Sequence, residues 1–177
     1  MSVQQQRGYT LVELVIVVTV LAVIAAIAVP ATLSNSDKQL DLAAQEFATA
    51  MQFARSESMR TGEPHGFRQQ SGAKRIRVFR LDQGTSPATI VYDVYHPIDK
   101  QFYDIDVTSL GVDSMSRTPT FRGTCNQNGN IYFDAGGTPW CVDPGTTLVS
   151  RFEVEMVSGI HRLTVGLDGI TGRVTIQ

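Results

Sequence analysis

The feature that most constrains this chain is an apolar segment near its amino terminus. Between residues 14 and 29 only Thr19 is polar, and no residue is charged. A helix rising about 1.5 Å per residue carries residues 9–29 across about 30 Å, the hydrocarbon thickness of a bilayer. The segment therefore predicts a helix that spans a membrane once.

A secretory signal peptide is the alternative explanation of this segment. Small residues around Ala26 and Ala28 would suit a conventional cleavage site. However, Arg7 is the sole basic residue before the segment, the apolar part is long, and Glu13 places a charge where a signal peptide is uncharged. These three features favour a retained anchor.

Glu13 needs a compensating partner, because a charge at the centre of a membrane helix costs on the order of 2 to 3 kcal/mol. Residues 7–13, which read Arg-Gly-Tyr-Thr-Leu-Val-Glu, resemble the class III signal of type IV prepilins, as do the following apolar run and Pro30. The resemblance implies that prepilin peptidase, a membrane aspartyl peptidase, cuts after Gly8 and methylates the new amino terminus at Tyr9. It also implies that Glu13 neutralises this amine on a neighbouring subunit during assembly.

Beyond the anchor the sequence predicts an amphipathic continuation of the helix. Apolar residues recur at spacings of three and four, at Leu40, Ala44, Phe47, Met51 and Ala54, among charged and polar ones. Gly62 and Pro64 form a stop signal, so the helix should run from residue 9 to 61. Pro30 should kink it near the outer membrane face.

From residue 64 onward the helical period gives way to short β-type runs separated by turn residues. Predicted strands cover residues 66–69, 75–81, 89–95, 103–108, 130–134, 148–157, 162–167 and 172–176. Phe152, Val154 and Met156 alternate with charged residues, as a half-buried strand requires. The predicted fold is α+β and pilin-like: a leader (1–8), a transmembrane half-helix (9–31) and an amphipathic half-helix (32–62) that packs on a carboxy-terminal antiparallel β-sheet domain (63–177).

Residues 54–58 resemble one particular group within the type IV pilin-like proteins. Ala-Arg-Ser-Glu-Ser is similar to the ARSEA pattern of the GspH/FimT family of minor pilins and pseudopilins, with Ser58 in place of a small apolar residue. The resemblance implies a single-pass inner membrane protein with a periplasmic domain, which joins other pilin subunits and starts or caps type IV pilus assembly. A minor pseudopilin of type II secretion and a DNA-binding pilin for natural transformation are the alternatives.

Cys125 and Cys141 are the only cysteines and lie in a stretch rich in Gly, Pro and Asn. In an oxidising periplasm they predict a disulfide, which would close a loop of about fifteen residues and stabilise the fold by roughly 3 kcal/mol. Metal binding is the rival explanation, but His65, His96 and His161 lack paired ligand spacing.

Four basic residues form a candidate DNA contact. Lys74, Arg75 and Arg77 form a basic run, and Arg173 follows Gly172. DNA-binding relatives resemble one another in a terminal Gly-Arg-x-Arg element, whereas this chain has Thr175 at the second arginine position. A solvated strand face is the preferred explanation of Arg75 and Arg77, since the chain carries a formal charge of -2.

Catalytic motifs are absent from the sequence. It has no nucleophile elbow, no phosphate-cradling glycine loop and no zinc-helix signature. The sequence therefore predicts no enzyme, no cofactor and no bound metal.

The mature amino terminus separates a retained anchor from a discarded signal peptide. We expect protein purified from its native host to begin with N-methylated Tyr9, because the leader resembles a prepilin leader. Mass spectrometry of the amino-terminal peptide measures this directly. A start at residue 29 or beyond would contradict the retained anchor.

Overall fold

The computed structural model describes residues 10–33, 35–70, 72, 74–126, 129–143 and 147–177, and gives the backbone alone for residues 25–33 and 35. Gly8 and Tyr9, the predicted processing site, lie outside the described residues. The chain divides into two compact units, residues 1–35 and 36–177.

The first unit contains helix α1, Leu11–Leu33. Its large apolar side chains from Leu11 to Ile24 are all half or more exposed. Across the described residues, no helix combines the length and hydropathy of a membrane span. The predicted span, residues 9–31, reaches beyond the described side chains at both ends. The assigned helix continues through Pro30, where the predicted kink stays a prediction.

The second unit begins with helix α2, Asn35–Thr61, which ends directly before Gly62 as the sequence predicts. Gly62 adopts a φ of +75°, a left-handed conformation that suits glycine after a helix. The predicted apolar stripe is confirmed, because its five members are buried: Leu40, Ala44, Phe47, Met51 and Ala54.

Two antiparallel sheets follow α2. The described strands are β1 (His65–Gln70), β2 (Arg75–Asp82), β3 (Thr89–Val91), β4 (Asp104–Asp106), β5 (Ser114–Phe121), β6 (Asn130–Phe133), β7 (Pro139–Cys141), β8 (Val149–Ser158), β9 (His161–Asp168) and β10 (Val174–Ile176). The first sheet has the order β3-β2-β1-β6-β7, with β4 also pairing with β2. The second sheet has the order β10-β9-β8-β5.

The core lies where α2 meets the inner faces of both sheets. Phe67 of β1 is at its centre, with its ring centroid 5.8 Å from that of Phe47 on α2 and 5.2 Å from that of Phe152 on β8. Phe152, Val154 and Met156 are all fully buried, which confirms the predicted alternation along β8. One helix face therefore organises both sheets.

Several predicted strands differ from the observed ones. Strand β5 was not predicted, because its Ser, Thr and Pro residues are typical of a loop. It forms through pairing with β8 along its whole length, from Ser114 opposite Val157 to Phe121 opposite Val149. Strand β7 was also missed, because three residues carry no periodicity.

Three other predicted strands were too long by two residues or more, and the one over residues 172–176 begins only at Val174 in β10. The one over residues 89–95 ends at Val91 in β3. The one over residues 103–108 turns into a 3-10 helix, Val107–Leu110, because the Asp106 carboxylate accepts the Thr108 backbone N–H at 2.9 Å and caps that turn.

Ser58 joins the end of α2 to β1. Its hydroxyl is fully buried, accepts the His65 backbone N–H at 2.8 Å and donates to the Ala54 carbonyl at 3.0 Å. The serine thus satisfies a buried donor that a small apolar side chain could not, which explains its presence in the ARSEA-like segment.

Replacing this hydroxyl should be costly. We expect Ser58→Ala to lower the free energy of unfolding by about 1–3 kcal/mol, because the His65 N–H loses its buried acceptor. Ser56→Ala is the matched control: Ser56 is exposed and bonds to the Phe53 carbonyl of its own helix, so a change within about 0.5 kcal/mol is expected. Urea denaturation of the oxidised, detergent-solubilised chain measures both. Equal losses in the two variants would contradict the role of Ser58.

Candidate functional site

Glu13 lies in the first turn of α1. Thr10 begins this helix: its carbonyl accepts the backbone N–H groups of Glu13 and Leu14 at 3.1 and 3.2 Å, and its hydroxyl accepts that of Glu13 at 3.3 Å. An acidic side chain is favourable near a helix amino terminus, because it faces the positive end of the helix dipole. The carboxylate of Glu13 is exposed and has no hydrogen-bond or ion-pair partner among the described residues. It is therefore available to a group from another molecule.

The predicted disulfide joins Cys125 to Cys141, with Cα atoms 5.9 Å apart. It connects the segment after β5 in the second sheet to β7 in the first. Hydrogen bonds support the same region: the Thr147 hydroxyl donates to the Thr124 carbonyl at 2.8 Å, and the Asn126 N–H donates to the Asp143 carbonyl at 2.9 Å. The prediction of a disulfide is confirmed.

The basic run of β2 faces an acidic residue. Asp104 of β4 accepts two hydrogen bonds from Arg75, at 2.9 and 3.0 Å, and one from Arg77 at 2.8 Å. Lys74 donates to the Val112 carbonyl at 3.2 Å, and Arg173 directly precedes β10 in the other sheet. A phosphate would therefore compete with Asp104 for both guanidinium groups. The DNA contact predicted for these four residues stays a prediction.

The three histidines belong to separate local contacts. The His65 ring lies 2.8 Å from the Glu63 carbonyl, and His96 and His161 have acidic neighbours in Asp99 and Asp37. Among the described residues, no group of three or more His, Cys, Asp or Glu side chains could hold a metal ion.

Two exposed features were not predicted from the sequence. Tyr95 and Phe102, paired through an isolated β-bridge, stack with ring centroids 5.0 Å apart while both remain more than half exposed. A second feature is a cleft between α2 and the turn from β9 to β10, lined by Arg55 and Arg173. Neither could be found from local periodicity, because each depends on which distant segments the fold brings together.

Buried beside the first of these features is the phenol of Tyr103. Its ring meets that of His96 edge to face at 4.7 Å, and its hydroxyl has no partner among the described residues. Burial raises the pKa of this phenol, so it stays protonated at physiological pH. Tyr103 is therefore part of the core.

Comparison with known proteins gives two family matches, one to the amino-terminal segment and one to the domain that follows it. The Prokaryotic N-terminal methylation motif matches residues 3–29, and the family Type II transport protein GspH matches residues 43–147, more than half of the chain. No curated protein sequence matches significantly.

Solved structures of two minor filament proteins are similar to this chain. The chain is similar to the minor pseudopilin EpsH from the Type 2 Secretion System of Vibrio cholerae, with a TM-score of 0.54 and 12% identity over 78% of this chain and 96% of that chain. For the type IV minor pilin FimU of Pseudomonas aeruginosa the TM-score is 0.47, with 16% identity over 80% of this chain and 90% of that chain. The likeness to EpsH confirms the predicted pilin-like α+β fold, a helix packed on antiparallel sheets.

The disulfide should stabilise the domain measurably. We expect the double variant Cys125→Ser, Cys141→Ser to lose about 3 kcal/mol of unfolding free energy, because the unfolded chain gains the freedom of a loop of about fifteen residues. Denaturation with and without reductant measures this. Reductant should destabilise the native chain by a similar amount and leave the double variant unchanged. A native chain insensitive to reductant would contradict the prediction.

Proposed function

The chain belongs to the GspH family of pilin-like proteins, and from this membership we propose that it is a minor subunit that starts or caps a type IV pilus. Members of this family are structural subunits and not enzymes. The methylation motif implies processing by prepilin peptidase, anchoring in the inner membrane and assembly with other pilin subunits. Beyond these implications, the proposal specifies the kind of filament and the place of the subunit within it.

The assembly role rests on the exposed apolar side chains and the unpaired carboxylate of α1. Its large apolar side chains are exposed and its one carboxylate, Glu13, has no partner among the described residues. Covering a large apolar side chain is worth about 1.5 to 3 kcal/mol, so an isolated helix of this kind is strongly unfavourable in water. Lipid would cover it before assembly, and helices of neighbouring subunits afterwards.

Processing supplies the partner for Glu13. Cleavage after Gly8 would create an amine at Tyr9, at the start of the same apolar segment. The amine of one subunit and the carboxylate of the next would then neutralise each other, which offsets the cost of burying either charge alone. Such a pair would fix the axial register between neighbouring subunits.

The support for a minor position at the start or tip of the filament is the resemblance of residues 54–58 to minor pilins of this family. A second candidate function is a minor pseudopilin of a type II secretion system, which the description of the matching family as a type II transport protein favours. Deletion in the native host separates the two candidates. Loss of surface pili with normal export supports the pilin, and loss of export with normal pili supports the pseudopilin.

Removal of the Glu13 charge tests the assembly role. We expect Glu13→Ala to be processed normally but to be lost from filaments by at least about tenfold, because the neighbouring amine would stay unpaired in an apolar environment. Immunoblots of membranes and of sheared filaments measure processing and incorporation separately.

Thr19→Ala is the matched control for this variant. Thr19 is an exposed polar residue of α1 that comes after Glu13 in the chain. Its hydroxyl donates to the Ile16 carbonyl of its own helix at 2.8 Å. This control should assemble normally. Normal assembly of Glu13→Ala would refute the proposed pairing.

A further inference from the structure

A cleft of about 300 Å³ lies between the last turns of α2 and the segment that leads into β10. We call it the arginine cleft, because Arg55 of α2 and Arg173 line it together with Met59, Thr171, Gly172 and Val174. All of these residues belong to the second compact unit. Arg55 is twenty residues after the start of α2, which is about 30 Å along the helix. The cleft thus includes no residue of α1 and none of the pairing proposed for Glu13.

Arg55 is held in a fixed position. Its Nε donates to the Gly137 carbonyl at 3.1 Å. Gly137 and Gly172 both have positive φ, +77° and +64°, and a Cβ at either residue would lie only 2.9 or 2.7 Å from this Nε. The guanidinium therefore occupies space that two glycines leave open. A side chain fixed in this way loses little conformational entropy when it binds a ligand.

The remaining donors of the arginine cleft have no acidic partner. Among the described residues, no ion pair or further hydrogen bond involves the Arg55 terminal nitrogens or the Arg173 side chain, and no acidic residue lines the cleft. Asp168 lines a neighbouring cleft together with Arg173 without an ion pair between them, and one of its carboxylate oxygens accepts from the Ile170 and Thr171 N–H groups of its own turn. The two positive charges of the cleft thus form no ion pair with an acidic side chain of the described residues.

Most other arginines of this domain are neutralised within the chain. Ion pairs join arginines to acidic side chains in Arg60–Glu57, Arg75–Asp104, Arg77–Asp104, Arg80–Asp93, Arg151–Glu153 and Arg162–Glu155. The arginine cleft departs from this arrangement. A guanidinium with both terminal nitrogens unused presents the planar fork that binds a carboxylate through two parallel hydrogen bonds.

We propose that the arginine cleft binds an Asp or Glu side chain of another filament subunit, which rests on the proposed function as a filament protein. The surroundings favour a protein partner over nucleic acid. Met59 is 54% exposed and Ile170, beside the cleft, is 77% exposed, so apolar side chains border the charged centre. Apolar residues beside an arginine are typical of protein interfaces, whereas a nucleic acid strand needs a run of free cations.

A chemical cross-link tests this contact in the full-length chain in its host. Arg173→Lys places a primary amine in the cleft, and a water-soluble carbodiimide joins such an amine to a carboxylate within contact distance, with loss of one water. We expect an amide between this position and an Asp or Glu of another filament subunit, identified by mass spectrometry of sheared filaments. Adding Arg55→Gln should lower the yield about tenfold, because the fixed guanidinium no longer holds the carboxylate.

Arg122→Lys is the matched control. Arg122 is exposed, lies in the second unit away from the cleft lining, and has no side-chain partner among the described residues. It should give no adduct that depends on Arg55. Because Arg55→Gln removes a partly buried charge, Arg55→Lys is the second variant: it keeps the charge without the fork and should also lower the yield.

Three outcomes would overturn the proposal. In the first, filaments contain the Arg173→Lys variant, but its amine forms no amide or couples only to carboxylates of the same chain. That result would leave the proposed function intact. The second is a salt-sensitive mobility shift of duplex DNA by the purified chain that is lost in Arg55→Gln, Arg173→Gln, which would assign the cleft to phosphate. The third is absence of the native chain from every filament, which would refute the proposed function as well.

Discussion

Burial of one face of α2 is the constraint on which the rest of the domain depends. Four alanines of this face, Ala43, Ala44, Ala50 and Ala54, are fully buried and let the sheets approach the helix closely. The larger side chains of Leu40, Phe47 and Met51 fill the space between them. Each sheet contributes one apolar face, and neither could be covered without the helix.

The two helices satisfy opposite requirements. The apolar face of α2 is covered by its own chain, while the apolar side chains of α1 are left to other molecules. This asymmetry is what the proposed role as a filament subunit requires. The folded domain supplies a stable body, and the exposed helix supplies the free energy for joining a membrane or a neighbour.

The sequence was sufficient wherever the determinants are local. The apolar stripe of α2, the end of that helix at Gly62 and the alternation of Phe152, Val154 and Met156 all depend on residues close together in the chain. The disulfide followed from composition and compartment, because only two cysteines exist to pair.

The sequence was insufficient where distant segments decide the outcome. Strand β5 has the composition of a loop and becomes a strand through its partner β8. In the same way, Asp104 pairs with Arg75 and Arg77 only because β4 lies beside β2. No periodicity in the sequence predicts that these two strands pair. Arg55 was noted for its motif, but its position between two glycines requires the turns that carry Gly137 and Gly172.

The same strand β5 has a further consequence for a protein that polymerises. It forms one border of the second sheet and carries Pro119 within the paired stretch. Proline lacks an amide hydrogen, so a foreign strand laid along this border meets a gap in the ladder of donors. Edge-to-edge pairing of sheets from one molecule to the next is thereby discouraged.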